Sequence, residues 1–404
     1  MSSDPALKNL VKVNDTPAPV EIKTDEVHMK RVARPLRHVK NIPTKQLVFY
    51  SKYKEPQFTY DLPIKLPIPA RAIVVQVRAA PLNPLDLKII NSYTSNMNSE
   101  RGIGREYAGV ITNIGSKVTG DWKEGDEVCG LYIHPNGFGT LCSSIVIYPS
   151  EDAIVHKPKG LSWEEASSWM ITFGTAFQAL AKCKISKDSN VLINGGSSSV
   201  GMMAIQLLKQ SYHTENIVAV CSGSAIPLAK QVGAKLCVNY KVNPDVPHVL
   251  DVLTTTGVYK DYDDQGNPIE VRDIPGKKFD LILDCVGGYK LVEHCKEYLA
   301  NGGSYITTVG DYHFNYKSDL YNSWNNVSMG ARSWFAGVWN MKYLKLEFNK
   351  KPGDWIEVGR EMLEAGEITN VIDSTYDWKE YAAAKRKVES GHAHGKVVLK
   401  VELF

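Results

Sequence analysis

Apolar residues follow two textures along the chain. From Gln46 to about His156 they form short β-rich runs, "QLVFYSKY", "AIVVQVRAA", "YAGVITNIG", "DEVCGLYI" and "LCSSIVIY", broken by Gly, Pro and Asn. That spacing predicts a small barrel or sandwich. After Pro158 the period lengthens. "SWEEASSWMITFGTAFQALAKC" reads as helix, with Ser162 as N-cap and Glu165 closing a capping box. Strands and helices then alternate: "NVLING", "VGMMAIQLLKQ", "NIVAVCS", "AIPLAKQVGA", "KLCVNY", and later "FDLILDCV", "GYKLVEHCKEYLA" and "GSYITTVG". Alternation of this kind predicts a parallel sheet covered on both faces. Helices around 354–365 and 378–390 and a closing strand "KVVLKVEL" complete the pattern.

Two segments lie outside it. Residues 257–278, "GVYKDYDDQGNPIEVRDIPGKK", are polar and turn-rich and read as a surface insertion. Residues 1–45 are polar, proline-dotted and weakly periodic and read as a mostly disordered extension. Charge is uneven here: residues 27–54 hold eight Lys or Arg and no Asp or Glu. A solvated tail accounts for that run. So does attraction to an anionic membrane surface, at about 1 kcal/mol per basic residue.

Composition narrows the class. The 404 residues allow two domains, and 43% hydrophobic with 23% charged residues is ordinary for a soluble globular protein. A net charge of +3 does not by itself imply nucleic-acid binding, and the basic tail is short of stacking aromatics, so no nucleic-acid partner is expected. Seven scattered cysteines without a C-x-x-C pair argue against a disulfide framework and a thiolate zinc site. No apolar run is long enough to span a membrane, and the N-terminus lacks a signal-peptide core. A cytoplasmic location is expected.

Chemistry concentrates at "NGGSSSVG", 194–201, between a strand and a helix. There G-x-G-x-x-G would bring backbone N–H groups and a helix N-terminus to a pyrophosphate. The candidate cofactor loop is Gly195, Gly196, Ser197, Ser198, Ser199, Val200 and Gly201, with serine where the middle glycine belongs. If Ser198 needed positive φ it would cost about 1–2 kcal/mol, whereas a hydroxyl donated to phosphate would return about 1 kcal/mol. A working cofactor loop and a retired strand–helix turn both remain open. The next strand ends in "CSGSAI" with no acid to hold a ribose diol, which disfavours NAD. NADPH is preferred, through Ser222, Ser224 and Lys230.

"NPLD" (83–86), "GREYAGVITNIGSKV" (104–118), "WKEGDEVCG" (122–130), "GTAFQAL" (174–180), "VLINGGSSSVG" (191–201), "FDLILDCVGG" (279–288) and "GKVVL" (395–399) occur in one order. Together they resemble the zinc-lacking quinone-reductase branch of the medium-chain dehydrogenase/reductase superfamily. The resemblance implies an α/β fold, a GroES-like β-rich catalytic domain split around a Rossmann doubly wound parallel sheet. The catalytic parts fall at 46–165 and 340–404, and the Rossmann domain at 166–339. No zinc is implied, because Asn83 and Arg105 stand where zinc enzymes carry ligands. The resemblance implies Asn83, Asp86, Lys88 and Tyr93 as catalytic candidates, and adds Tyr240 and Gly310 to the cofactor site. The cation that often meets a 2′-phosphate is replaced by Ala225.

The opening "RPLRHVKNIPTKQLVFYSKYKEPQF" (34–58), the long extension and the 257–278 insertion resemble the fungal AST proteins. That resemblance implies a peripheral membrane or trafficking factor that assists delivery of the plasma-membrane proton ATPase, with weak or regulatory NADPH binding. The alternative is an active NADPH-dependent quinone or enone reductase. By analogy a homodimer would form through "SMGARSWFAGV".

Overall fold

The computed structural model describes residues 41–95, 99–134, 137–262, 267–271, 273–313, 315–316, 319 and 340–402. Most of the basic extension and the "SMGARSWFAGV" segment lie outside the described residues.

Six parallel strands run across one sheet in the order Leu236–Asn239, Asn216–Cys221, Asn190–Asn194, Phe279–Asp284, Leu299–Thr307 and Lys342–Lys345. Val191 and Ile193 pack into one buried cluster and Leu192 into another, so both faces are covered. This is why these strands read as unbroken apolar runs instead of alternating ones. The chain leaves Asn190–Asn194 in one direction along the sheet and returns on its other side at Phe279–Asp284. That reversal opens a crevice at the carboxyl ends of the two strands, the place where such sheets bind ligands.

The second sheet has seven strands. Six lie in the order Ile154–His156, Glu127–Leu131, Glu106–Ile114, Ile73–Leu82, Lys396–Lys400 and Ile372–Asp377, with Ser144–Ile147 also on Ile73–Leu82. The chain's last strand thus completes a sheet begun more than three hundred residues earlier. The strands of the parallel sheet, from Asn190 to Lys345, lie between the two parts of this sheet in the chain.

Several boundaries move from those the sequence suggests. Lys342–Lys345 pairs with Leu299–Thr307 and belongs to the parallel sheet, so the division set at 339/340 shifts beyond Lys345. At the other end, Asn41–Ile42 already pairs with Ile64–Lys65 and Thr44 is buried, so the extension stops before residue 45. The first long helix breaks into Trp163–Ser167 and Met170–Leu180, and Trp169 at the break is fully buried. The capping box at its start is present: Ser162 N donates to Glu165 Oε2 at 2.9 Å and Glu165 N to Ser162 Oγ at 3.2 Å. Within 257–278 the chain forms an antiparallel hairpin, Tyr259–Tyr262 with Pro268–Val271, anchored by the buried Tyr259.

Candidate functional site

The phosphate-type loop sits at the crevice. Gly195 follows the strand with φ +82°, a conformation that favours glycine. Ser198 is extended, φ −71° and ψ 155°, and is the N-cap of helix Ser199–Gln210. Its Oγ accepts from Gly201 N at 3.0 Å. The strain feared for a serine here is therefore absent, because Gly195 takes the positive φ. The Ser198 hydroxyl oxygen has a task within the loop itself. It caps the helix, and the N–H groups of Ser199 and Val200, the first two helical positions, have no partner within the helix. Gly201 is required by close packing, since a Cβ there would lie 2.2 Å from Gly195 O.

Along the rim, Ser222 is buried and its Oγ lies 3.1 Å from that of the exposed Ser224. Tyr240 N donates to Cys221 O at 3.2 Å, which brings the 40%-exposed Tyr240 ring to the same strand end. Lys230 is exposed on the helix Ile226–Gln231. On the other side of the crevice Asp284 is buried and accepts from Asn194 Nδ2, Val286 N, Gly287 N and Tyr305 OH at 2.7–3.0 Å. Burial raises its pKa, and these donors oppose the rise. The network fixes the turn that carries Val286. Gly310, buried with φ +98°, is held by Thr307 Oγ1 at 2.8 Å.

A cavity of about 360 Å³ opens beside this rim. Cys285, Val286, Val309, Tyr312 and Tyr316 line it from the segments that follow the strands Phe279–Asp284 and Leu299–Thr307, and Lys88 and Glu389 from the helices Pro84–Ser92 and Tyr381–Glu389. Burial pushes the Cys285 thiol up to about 12, so it stays protonated at neutral pH. Burial likewise raises Tyr316 to about 12. Lys88 is lowered, first by burial and then by the nearby charge of Lys345.

The four catalytic candidates do not share this wall. Lys88 lines it. Asn83 and Asp86 are turned inward: Asn83 N donates to Asp86 Oδ2 at 2.8 Å, and Gly104 N to Asp86 Oδ1 at 3.1 Å. Burial raises the Asp86 pKa against the opposing charge of Arg105. Tyr93 packs edge-on against Phe49 at 5.4 Å, away from the cavity lining. Asn83 and Asp86 are thus engaged in buried hydrogen bonds, and Tyr93 packs on Phe49. The residue pattern at the N-P-x-D turn is the same in either role, which is why the sequence does not separate them.

Behind Asn83 lies a pair that local pattern did not single out. Lys396 Nζ donates to Glu106 Oε2 at 2.7 Å and to Asn83 Oδ1 at 2.6 Å. Asn83 Nδ2 donates to Glu106 Oε2 at 2.9 Å, and Ile171 N to Glu106 Oε1 at 2.9 Å. Lys396 is 3% exposed and Glu106 is fully buried. The Glu106 carboxylate sits at the N-terminus of helix Met170–Leu180, where the helix dipole favours an anion. This helix packs on Ser199–Gln210, so one buried ion pair ties the second sheet to the helix behind the phosphate-type loop. The signal was present in part: a single charge stands at the head of each apolar run, "EYAGV" and "KVVL".

Among the described residues no group of three or more His, Cys, Asp or Glu could hold a metal ion. No described helix is long and apolar enough to cross a membrane.

A parallel sheet with this strand order, a glycine-cornered loop at its reversal and a second sheet closed by the last strand define the class, the medium-chain dehydrogenase/reductase superfamily. Residues 69–157 match the alcohol dehydrogenase GroES-like domain and 232–399 the zinc-binding dehydrogenase family. The quinone oxidoreductase of Coxiella burnetii shares the fold, with TM-score 0.68 at 21% identity over 89% of this chain and 99% of that one. Within the superfamily the chain belongs to the AST family. Protein AST2 of Saccharomyces cerevisiae is 41% identical over 427 aligned positions, covering 100% of this chain and 98% of that protein. Protein AST1 of the same organism is 39% identical over 428 positions with the same coverage.

Proposed function

We propose that the chain binds a nicotinamide dinucleotide, NADPH in preference to NADH, at the reversal of its parallel sheet, and that this reductase-derived site serves a membrane-delivery factor of AST type. The observation that carries the reading is the unstrained, helix-capping Ser198, which leaves the Ser199 and Val200 N–H groups at the mouth of the crevice. These would hold the pyrophosphate. Ser222, Ser224 and Lys230 would meet the ribose and its 2′-phosphate, where no carboxylate stands to favour NADH. Tyr240 would lie on the adenine side, and Val309 and Gly310 on the nicotinamide side. When bound, the reduced nicotinamide supplies a hydride to an electrophilic carbon, as quinone or enone reduction requires.

Ser199→Pro tests the loop directly. Proline is tolerated at the first helical position, and Ser198 already has the extended ψ of 155° that a residue before proline adopts. The substitution deletes one N–H and little else. A hydrogen bond to a charged group is worth about 1.5–3 kcal/mol, so NADPH affinity, followed by nicotinamide fluorescence, is expected to fall about tenfold or more. The melting temperature is expected to hold, and Ser199→Ala, which keeps the N–H, to bind like the native protein. Native-like binding by the proline variant would place the phosphate elsewhere.

The AST kinship supports the second half of the reading, a peripheral contact with an anionic membrane and with the proton ATPase through residues 27–54. Lys45 is withdrawn from that segment: its Nζ lies 5.0 Å over the Trp378 ring and 3.5 Å from Glu402. Lys54 is exposed beside Tyr53, which is 70% exposed. Full-length protein is expected to co-sediment with phosphatidylserine vesicles, and less so at high salt or after deletion of residues 1–40. Equal sedimentation with neutral phosphatidylcholine vesicles would sink this half alone.

A further inference from the structure

The end of the parallel sheet opposite the crevice is rich in lysine. Lys182, Lys184 and Lys187 stand in the segment that leads into Asn190–Asn194. Lys277 and Lys278 lead into Phe279–Asp284, Lys235 leads into Leu236–Asn239, and Lys342 opens the outermost strand. Each of them is exposed. Hydrogen bonds join them into one edge. Lys342 Nζ donates to Lys182 O at 2.6 Å, Lys277 Nζ to Asp188 O at 2.7 Å and Lys278 Nζ to Lys296 O at 2.7 Å. Glu215 N donates to Lys187 O at 3.3 Å, and Lys235 Nζ to Asn216 Oδ1 at 3.2 Å. With strands about 4.8 Å apart, the six of this sheet make an edge roughly 24 Å broad.

These acceptors are carbonyl oxygens, which leave the lysine charges in place. The carboxylates on the same edge are Asp188, Glu215, Asp273, Asp280 and Glu297, fewer than the lysines. Asp280 is taken by Lys277 at 3.6 Å, and Glu297 lies 3.1 Å from His294. Among the described residues, Lys182, Lys184, Lys187, Lys235, Lys278 and Lys342 form no ion pair. Helix dipoles favour cations only within the last turn. Lys184, Lys187, Lys235, Lys278 and Lys342 lie outside any helix, so the fold itself does not call for them. No large exposed apolar or aromatic residue belongs to this edge, so it offers nothing to insert and no stacking face for a base. Lysine is a compact, hydrated charge, unlike arginine, which holds a phosphate or carboxylate with two parallel donors. A broad lysine edge of this kind suits a smeared negative charge, such as the headgroup layer of an anionic membrane.

We propose that this edge is a docking face for an anionic lipid surface, and that it holds the protein with its crevice turned away from the bilayer. The proposal rests on the membrane half of the reading above and adds a contact that residues 27–54 do not supply. The orientation follows from the sheet: the lysines lie at the amino ends of parallel strands, and the crevice lies at their carboxyl ends.

The test is co-sedimentation of full-length protein with phosphatidylcholine vesicles that contain phosphatidylserine. Lys182, Lys184 and Lys187 are exposed, so changing all three to glutamine should leave the melting temperature unchanged. That triple variant is expected to bind the vesicles about tenfold or more weakly. Lys278→Gln with Lys342→Gln, from two other strands, should also weaken binding. Arginine at 182, 184 and 187 keeps the charge and should restore it. NADPH affinity is expected to be the same on vesicles as in solution. Vesicle binding that survives both glutamine variants would overturn this face and leave residues 27–54 as the membrane contact. No binding by the native protein would overturn the membrane reading and this face with it. An arginine variant as weak as the glutamine one would mean that charge is not what the edge supplies. Lysine-dependent binding to polyuridylate in place of vesicles would assign the edge to a nucleic acid and overturn the lipid assignment. A fall in NADPH affinity on vesicles would overturn the orientation.

Discussion

Replacing Lys396 with methionine is expected to cost the protein about 3–5 kcal/mol of stability, the usual consequence of leaving one member of a buried ion pair alone. The lost ammonium now bonds both Glu106 and Asn83. Without it the Glu106 carboxylate keeps only Asn83 Nδ2 and Ile171 N, in a site with no exposure to water. Glu106→Gln should be costly for the mirror reason, since it strands the lysine. The informative variant is the double one. With both charges removed, neither is left buried without its partner, and the combined loss should be well below the sum of the single losses. Urea denaturation midpoints of the four proteins measure this. Additive losses would mean that the two side chains act independently. Because Glu106 also holds the start of Met170–Leu180, the Lys396 variant should bind NADPH less well even where it remains folded.

Gly201→Ala carries the second largest expected effect, and its sign opposes helix propensity. Alanine in an ordinary helix is favoured over glycine by about 0.5–1 kcal/mol. At this position the new Cβ would fall 2.2 Å from Gly195 O and 3.1 Å from Gly196 Cα. Both are backbone atoms, so no rotamer change relieves the clash. The turn must open, which moves Ser198 off its cap and separates the N–H groups of Ser199 and Val200. A loss of roughly 1–3 kcal/mol is expected from overpacking of this kind. NADPH affinity should fall further than in Ser199→Pro, which deletes one donor and leaves the turn shut. An alanine variant with native melting temperature and native NADPH affinity would show that the loop yields cheaply and that Gly201 is not needed for close approach.

Much of this architecture is legible in the chain. The alternation after Pro158 names the parallel sheet, because strands buried on both faces must be continuously apolar. The Ser162–Glu165 capping box is readable because its partners are three residues apart. "NGGSSSVG" marks the turn at the crevice, since glycine is demanded wherever backbone meets backbone. The sixth parallel strand, Lys342–Lys345, is less visible, for its "KYLK" is short and half polar and lies at a sheet edge.

The roles within the site were not legible in the same way. A serine in a glycine position reads as strain until the φ of Ser198 and the positive φ of Gly195 are both known. Asn83 and Asp86 keep their motif whether they face a ligand or the interior. Lys88 meets the ring of Tyr316, which stands far along the chain.

The sequence by itself determined most of the elements and the place of the crevice loop, because periodicity and turn chemistry act over a few residues. Only the tertiary structure decided which side chains meet. Glu106 and Lys396 are 290 residues apart, and nothing local in either strand states that one charge will neutralise the other. Burial turned that pair into a joint, since the same charges left in water would interact weakly.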